Sequence, residues 1–240
     1  GAPPVGAIGQ PNSLTVTQRP DGAIEVKYTS QAFEKLQNDA LASSIEAVRR
    51  RADNTGLVEP NIQRQGDSRI IVEVPGLNAA EMATLIDTLT QAGVLTFNLV
   101  DVEANVAEYE VGVERNGRIA LPDDSIGGTP QVVFLDAIIR GADLSGAQQG
   151  FDDSNRPNIQ FQLHPPGAQK FGRATSANVG RPFAIVLDNE VISAPQIQSH
   201  IPGGSGIITG RFSVEESTNL AVLLRAGALP ATLRYLHQQT

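Results

Sequence analysis

The residues of this chain whose types could do chemistry are three histidines, two adjacent carboxylate pairs, a glycine-rich run and a triple arginine. Their spacing decides what chemistry that is. His164, His200 and His237 are far apart in the sequence, with no HxxxH or HExxH arrangement among them. Metal binding and general-base catalysis need groups that converge, so these read as surface or loop histidines. Asp123-Asp124 and Asp152-Asp153 fall in turn-like contexts. Catalytic carboxylates project into one cleft at a defined separation, so both pairs read as solvated turns. Gly203-Gly204-Ser205-Gly206 could cradle an anion with its amides. It lacks the lysine and the directly following helix of a phosphate loop, which leaves a flexible connection. Arg49, Arg50 and Arg51 read as a solvated helix end, again because no phosphate loop accompanies them. No GxSxG elbow occurs, and without cysteine there is no thiolate nucleophile, disulfide or Cys metal site. The residues predict no catalytic machinery, no metal and no cofactor.

The elements that position these residues are clearest from Phe183 to Ala231. Phe183 to Leu187 is apolar on both alternating faces, which predicts a strand inside a sheet. Asp188-Asn189 turns the chain, Asn being tolerant of the left-handed conformation. Ser213 and Glu216 form a capping box ahead of a helix whose stripe is Val214, Leu220, Leu223 and Leu224. Gly227 stands at its C′ position and Pro230 prevents continuation.

Toward the N-terminus, Gly1 to Pro11 lacks periodicity and, with the two residues after it, reads as a flexible lead over 1–13. Leu14 to Thr17 and Ala23 to Thr29 flank Pro20-Asp21-Gly22, a hairpin signal. Phe33, Leu36, Leu41, Ile45 and Val48 recur at helical spacing to about Ala52, with Gly56 as the stop. Val58 to Gln63 and Arg69 to Val74 read as strands. Asn78 with Glu81 caps a helix carrying Met82, Leu85, Ile86 and Leu89, stopped at Gly93, and Val94 to Val100 is a strand. This order is the split βαβ pattern of ferredoxin-like folds. A second such unit is expected in Asn158 to Leu163, Gly167 to Asn178, Phe183 to Leu187, Val191 to Ser193, Gly206 to Thr209, Val214 to Ala226 and a last strand at Thr232 to Leu236.

At 240 residues and 25.4 kDa the chain can bury a core in one large or two small domains. A net charge of -8 makes nucleic acid and anionic membrane surfaces poor partners. No apolar run approaches the roughly 18 residues of a membrane helix.

LDNEVISAP, ITGRFSVEES and LLRAGALPA resemble a block of the SecD family, the accessory membrane subunit of bacterial Sec protein export. Ile45 to Leu77 (IEAVRRRADNTGLVEPNIQRQGDSRIIVEVPGL) resembles the same family in the expected order, and Gly141 to Phe171 is a weaker third match. The family commonly carries Gly where Asn189 stands. The resemblance implies an α+β fold: a pseudo-repeated ferredoxin-like (βαββαβ) base over residues 14–102 and 180–240, with an inserted head at 103–179. A composition shift agrees, since Asp101 to Asn155 begins acidic, breaks at Gly and Pro, and then carries an apolar cluster from Val132 to Ile139.

The same resemblance implies a non-enzymatic extracytoplasmic (periplasmic) domain, excised from a multi-pass membrane protein. It would engage unfolded exported polypeptide and act beside a SecF-like subunit and the SecYEG channel in proton-gradient-driven export. The head residues expected to contact polypeptide are Val133, Phe134, Ile138, Ile139, Phe151, Phe161 and Phe171, although a subdomain of this size needs most of its large apolar side chains inside. Hinge positions are expected at Val102, Val106, Val179, Gly180 and Pro182. A passive spacer that docks membrane subunits, or a small-ligand sensor, are the alternatives.

Overall fold

The computed structural model describes residues 13–54, 60–123 and 127–237. Residues 1–12 of the expected flexible lead, the Gly56 stop, Val58 and Asp124 lie outside these residues. β1 (Leu14–Gln18) and β2 (Ile24–Tyr28) pair as an antiparallel hairpin. The register puts Leu14, Val16, Ile24, Val26 and Tyr28 on one face and Thr15, Thr17, Glu25 and Lys27 on the other. α1 (Ser30–Asn54) follows, with the Thr29 hydroxyl accepting from the Ala32 amide at its start. Phe33 and Leu36 are exposed on its first turns, whereas Leu41, Val48 and Ala52 are buried further along.

β3 (Asn61–Gln65) and β4 (Arg69–Glu73) form a second two-stranded ladder. α2 (Ala79–Thr90) starts with the expected capping box between Asn78 and Glu81. Val48 and Ala52 of α1, Ile62 of β3 and Leu85 and Leu89 of α2 make a separate small core, with Leu233 packed against it.

The remaining elements build a larger unit. β5 (Leu95–Leu99) leads into β6 (Glu114–Arg115), β7 (Arg118–Leu121) and β8 (Gln131–Phe134), which form a three-stranded antiparallel sheet. β9 (Ile139–Arg140), β10 (Leu144–Phe151), β11 (Pro157–Leu163) and α3 (Pro165–Ala177) come next. β12 (Phe183–Leu187), β13 (Glu190–Ser193), β14 (Ser205–Thr209) and α4 (Val214–Ala226) complete the order. One sheet runs β13-β12-β5-β9 and another β10-β11-β14. β12 is buried on both faces, as its uninterrupted apolar run predicts. Phe183 and Ile185 face a core with Phe97, Phe161 and Phe171, while Ala184 and Val186 face Val100, Leu121, Val133 and Val191. The turn after it holds Asp188 at φ 50° and Asn189 at φ 68°, the conformation in which Asn can replace Gly. α4 carries the Ser213–Glu216 capping box and ends at Gly227, φ 78°.

The chain is a mixture of helices and several small antiparallel sheets, and its strand pairing departs from a repeated ferredoxin-like plan. β3 and β4 do not join β5; β5 pairs instead with β12 and β9. β11 pairs with β10 and β14, in a different sheet from β12. The pairing also crosses the expected base and head, since β9 and β11 lie in 103–179 while their partners β5 and β14 lie outside it. β12 is the cause: apolar on both sides, it needs neighbours and covering layers on both faces. Thr232 to Leu236 forms no strand; Leu233 packs on the small core while Tyr235 and Leu236 stay exposed.

Candidate polypeptide-contacting surface

The structure separates the seven expected contact residues. Val133, Ile139, Phe161 and Phe171 are buried. Phe161 and Phe171 belong to an aromatic cluster with Phe97 and Phe183, with ring centroids 5.2 Å apart for Phe97–Phe161 and 5.4 Å for Phe97–Phe183. Such edge-on packing is what fills a core. Ile138 is half-buried against that cluster. Phe134 is half-buried beneath the Arg118 guanidinium, 4.9 Å from its ring centroid, and Asp101 accepts from that guanidinium in turn. Phe151, at the end of β10, is exposed. Periodicity marks apolar positions, but it cannot say whether another layer covers them.

The surface left open lies on the β10-β11-β14 sheet. The register places Gln148 of β10, Gln160 and Gln162 of β11, and Ser205 and Ile207 of β14 on one face. Gln148 Nε2 donates to Gln160 Oε1 at 3.1 Å, and Ile207 is 54% exposed. A concavity of about 790 Å³ follows these residues and reaches Phe161 and Arg225. Gly206 lies on the opposite side of β14, where a Cβ would sit 2.7 Å from Phe161 Cζ. The glycine-rich run is therefore packed rather than flexible: Gly204 is buried against Ala168, and its carbonyl accepts from the Leu163 amide at 2.8 Å. The polar alternation of Gln160 and Gln162 was visible in the sequence; the apolar candidates drew attention away from it.

The ionisable residues sort differently from their expected roles. Asp123 is fully buried, not a solvated turn, and accepts from the Gln131 side-chain amide. Asp152 does sit in a turn: the Arg156 amide above all, then the Arg156 guanidinium and the Ser154 amide, hold its carboxyl below the usual range. His164 precedes α3, His200 lies beside Gly172, and His237 ends the described tail. Among the described residues no group of three or more His, Cys, Asp or Glu side chains is placed to hold a metal.

The triple arginine is a solvated helix end only in part: Arg49 is exposed and pairs with Glu46. Arg51 is fully buried and Arg50 donates to the Ala226 carbonyl at 2.9 Å. The open carbonyls at two helix ends need donors, and a planar guanidinium supplies several at once. Burial lowers the Arg51 pKa to about 10, against the pull of Asp188 and with the help of Arg50.

The expected hinge positions lie within the larger unit. Val102 and Val106 are exposed between β5 and β6, and Val179 is exposed after α3. Gly180, φ 83°, donates to the Ile197 carbonyl, and the Pro182 carbonyl accepts from Val100. Phe97 on one side and Phe183 on the other share a core.

Two family models match this chain: the P1 domain, N-terminal, of protein translocase subunit SecDF over residues 41–102, and the SecDF P1 head subdomain over residues 118–231. The chain belongs to the SecD family. Protein translocase subunit SecD of Rhodobacter capsulatus is 44% identical over 92% of the chain, and that of Rickettsia bellii 40% identical over 92%. The chain spans about two fifths of these SecD relatives, 39% and 42% of their lengths. A solved SecDF, described as a membrane component that enhances protein export, superposes with TM-score 0.68 and 29% identity, covering 85% of this chain and 94% of that one. SecDF in its super-membrane-facing form matches with TM-score 0.67 and 32% identity over 82% of this chain and 27% of that one. No described helix is long and apolar enough to cross a membrane.

Proposed function

We propose that this chain is the periplasmic part of a SecD-type translocase subunit, and that its head makes weak, sequence-independent contact with unfolded polypeptide during export. A SecF-like subunit and the SecYEG channel would be its partners in the full-length membrane protein. Turning of the head against the rest of the chain would carry the bound segment.

The amide-and-apolar face of β10, β11 and β14 carries this reading. A glutamine side chain both donates and accepts, so Gln148, Gln160 and Gln162 can satisfy a peptide backbone whatever its side chains are. Exposed Ile207 adds apolar contact on the same face, and β14 is an edge strand to which an extended segment can add. Binding must also be weak, because a tight complex would stall the chain being moved. In the full-length protein, Ile207→Asp and Gln160→Ala should lower crosslinking to an unfolded client while the domain melts as before. Folded variants that crosslink like the wild type would contradict the reading.

One observation favours the spacer reading instead: the apolar face of the β1–β2 hairpin is open, with Ile24 70% exposed. Under that reading, Ile24→Asp would weaken assembly with the membrane partners and leave client crosslinking intact.

A further inference from the structure

Two units with separate cores are joined by two chain crossings, and one side chain holds both. The first crossing leaves α2 at Gln91 to Val94 and enters β5; the second leaves α4 at Ala226 to Leu229 and leads to Leu233 on the small core. Arg51 Nη1 donates to the carbonyls of Thr88 (3.0 Å), Leu89 (3.3 Å) and Gln91 (2.5 Å). Its Nη2 donates to Ala92 and Gly227, at 3.3 and 3.2 Å. The crossings also bind each other, through the Leu229 amide and the Ala92 carbonyl at 2.8 Å. From the other side Asp188, in the β12–β13 turn, accepts from the amides of Gly93 and Val94 at 2.9 and 2.7 Å.

We propose that Arg51 is the positioning residue that sets the angle between the N-terminal unit and the larger unit, by gripping both crossings at once. Its side chain comes from α1, in the small unit, and its acceptors lie at the C-terminal ends of α2 and α4, whose dipoles both present partial negative charge to it. Only a planar, weakly hydrated fork of donors can reach carbonyls in several directions from a buried position; a lysine offers a single point of charge. Gly93, at φ 72°, is shaped around the grip, since a Cβ there would lie 2.8 Å from Arg51 Nη2. With the grip released, Gly93 and Gly227 (φ 78°) are the positions where the backbone can turn most cheaply. Arg50 donates to the Ala226 carbonyl, at the end of α4. None of this depends on what the head binds.

The chain has no cysteine, so spin labels can be placed on the exposed residues Gln37 of α1 and Ser154 of the head through Gln37→Cys and Ser154→Cys. The distance between them reads the angle between units in the 240-residue chain. We expect one narrow distance peak with Arg51 intact, and its loss in Arg51→Met. Arg51→Lys should recover part of the peak, and Arg50→Met should keep it. Gly93→Ala retains the charge but crowds the guanidinium, and should broaden the peak. A residue that only stabilises the fold would lower the melting temperature and leave the peak where it was. A wild-type peak in folded Arg51→Met or in Gly93→Ala overturns the proposal, and Gly93→Ala alone decides it should Arg51→Met fail to fold.

Discussion

The two cores of this molecule are closed to different degrees. The larger unit surrounds β12 on both faces and locks Phe97, Phe161, Phe171 and Phe183 ring against ring. The N-terminal unit lays only the β3–β4 ladder beside α1 and α2, and a groove of about 1270 Å³ runs along Ile70, Val72, Met82 and Ile86. The larger unit therefore holds its shape by packing, whereas the smaller unit relies on its attachment, through Arg51 and the returning tail. Apolar content is similar in kind in both; what differs is whether a second layer exists to cover it.

Substitution can break that contrast, and the largest effect should come from the larger unit. Phe97 has no exposed surface, so Phe97→Ala should cost about 3–5 kcal/mol in denaturant melts. Leu85 in the small core borders the groove, where the site can collapse, so Leu85→Ala should fall near the low end of its class at ~2 kcal/mol. Equal costs would mean that the two cores are equally closed. Ser213→Ala removes the hydroxyl that accepts from the Glu216 amide at 3.1 Å and should cost about 1 kcal/mol. That loss should also raise the Glu216 pKa, because the Ser213 amide and hydroxyl now hold it below the usual range.

Much of this was legible in the residues themselves. The capping boxes at Asn78 and Ser213, the doubly buried strand at Phe183 to Leu187, and the left-handed turn at Asp188-Asn189 rest on local chemistry, which a sequence displays directly. Arg51 was misread because its partners are backbone carbonyls 37 and 176 positions away, which leave no signature in side-chain types. Phe161 and Phe171 were marked as contact residues for a related reason: large apolar side chains in the expected head do not show that Phe97 and Phe183 cover them. The hairpin of β1 and β2 is the converse case, with a well-formed apolar face that no described residue buries.

The smallest expected effect concerns Asp143, which accepts from the Arg140 amide and from Lys170, both at 3.0 Å. Its partial burial favours the neutral acid, but the two partners outweigh burial and hold the carboxyl below the usual range. A folded-state pKa below the unfolded ~3.9 gives stability that is present above that pH and lost as pH falls through the folded value. Asp143→Asn should thus cost less than about 1 kcal/mol at neutral pH and nothing in acid, read from urea midpoints against pH. A cost that persists in acid would assign the loss to packing.

The proposed contact with exported polypeptide can be tested by where crosslinks form. A photo-crosslinking residue can be placed in the full-length protein at Gln160 or Ile207 on the head sheet, at Ile24 on the hairpin, and at Ile71 beside the groove. An arrested export intermediate then tests all four. Crosslinks at Gln160 and Ile207 that exceed those at Ile24 and Ile71 are the predicted result. Crosslinks confined to Ile24 or Ile71, with the head positions silent, would contradict it.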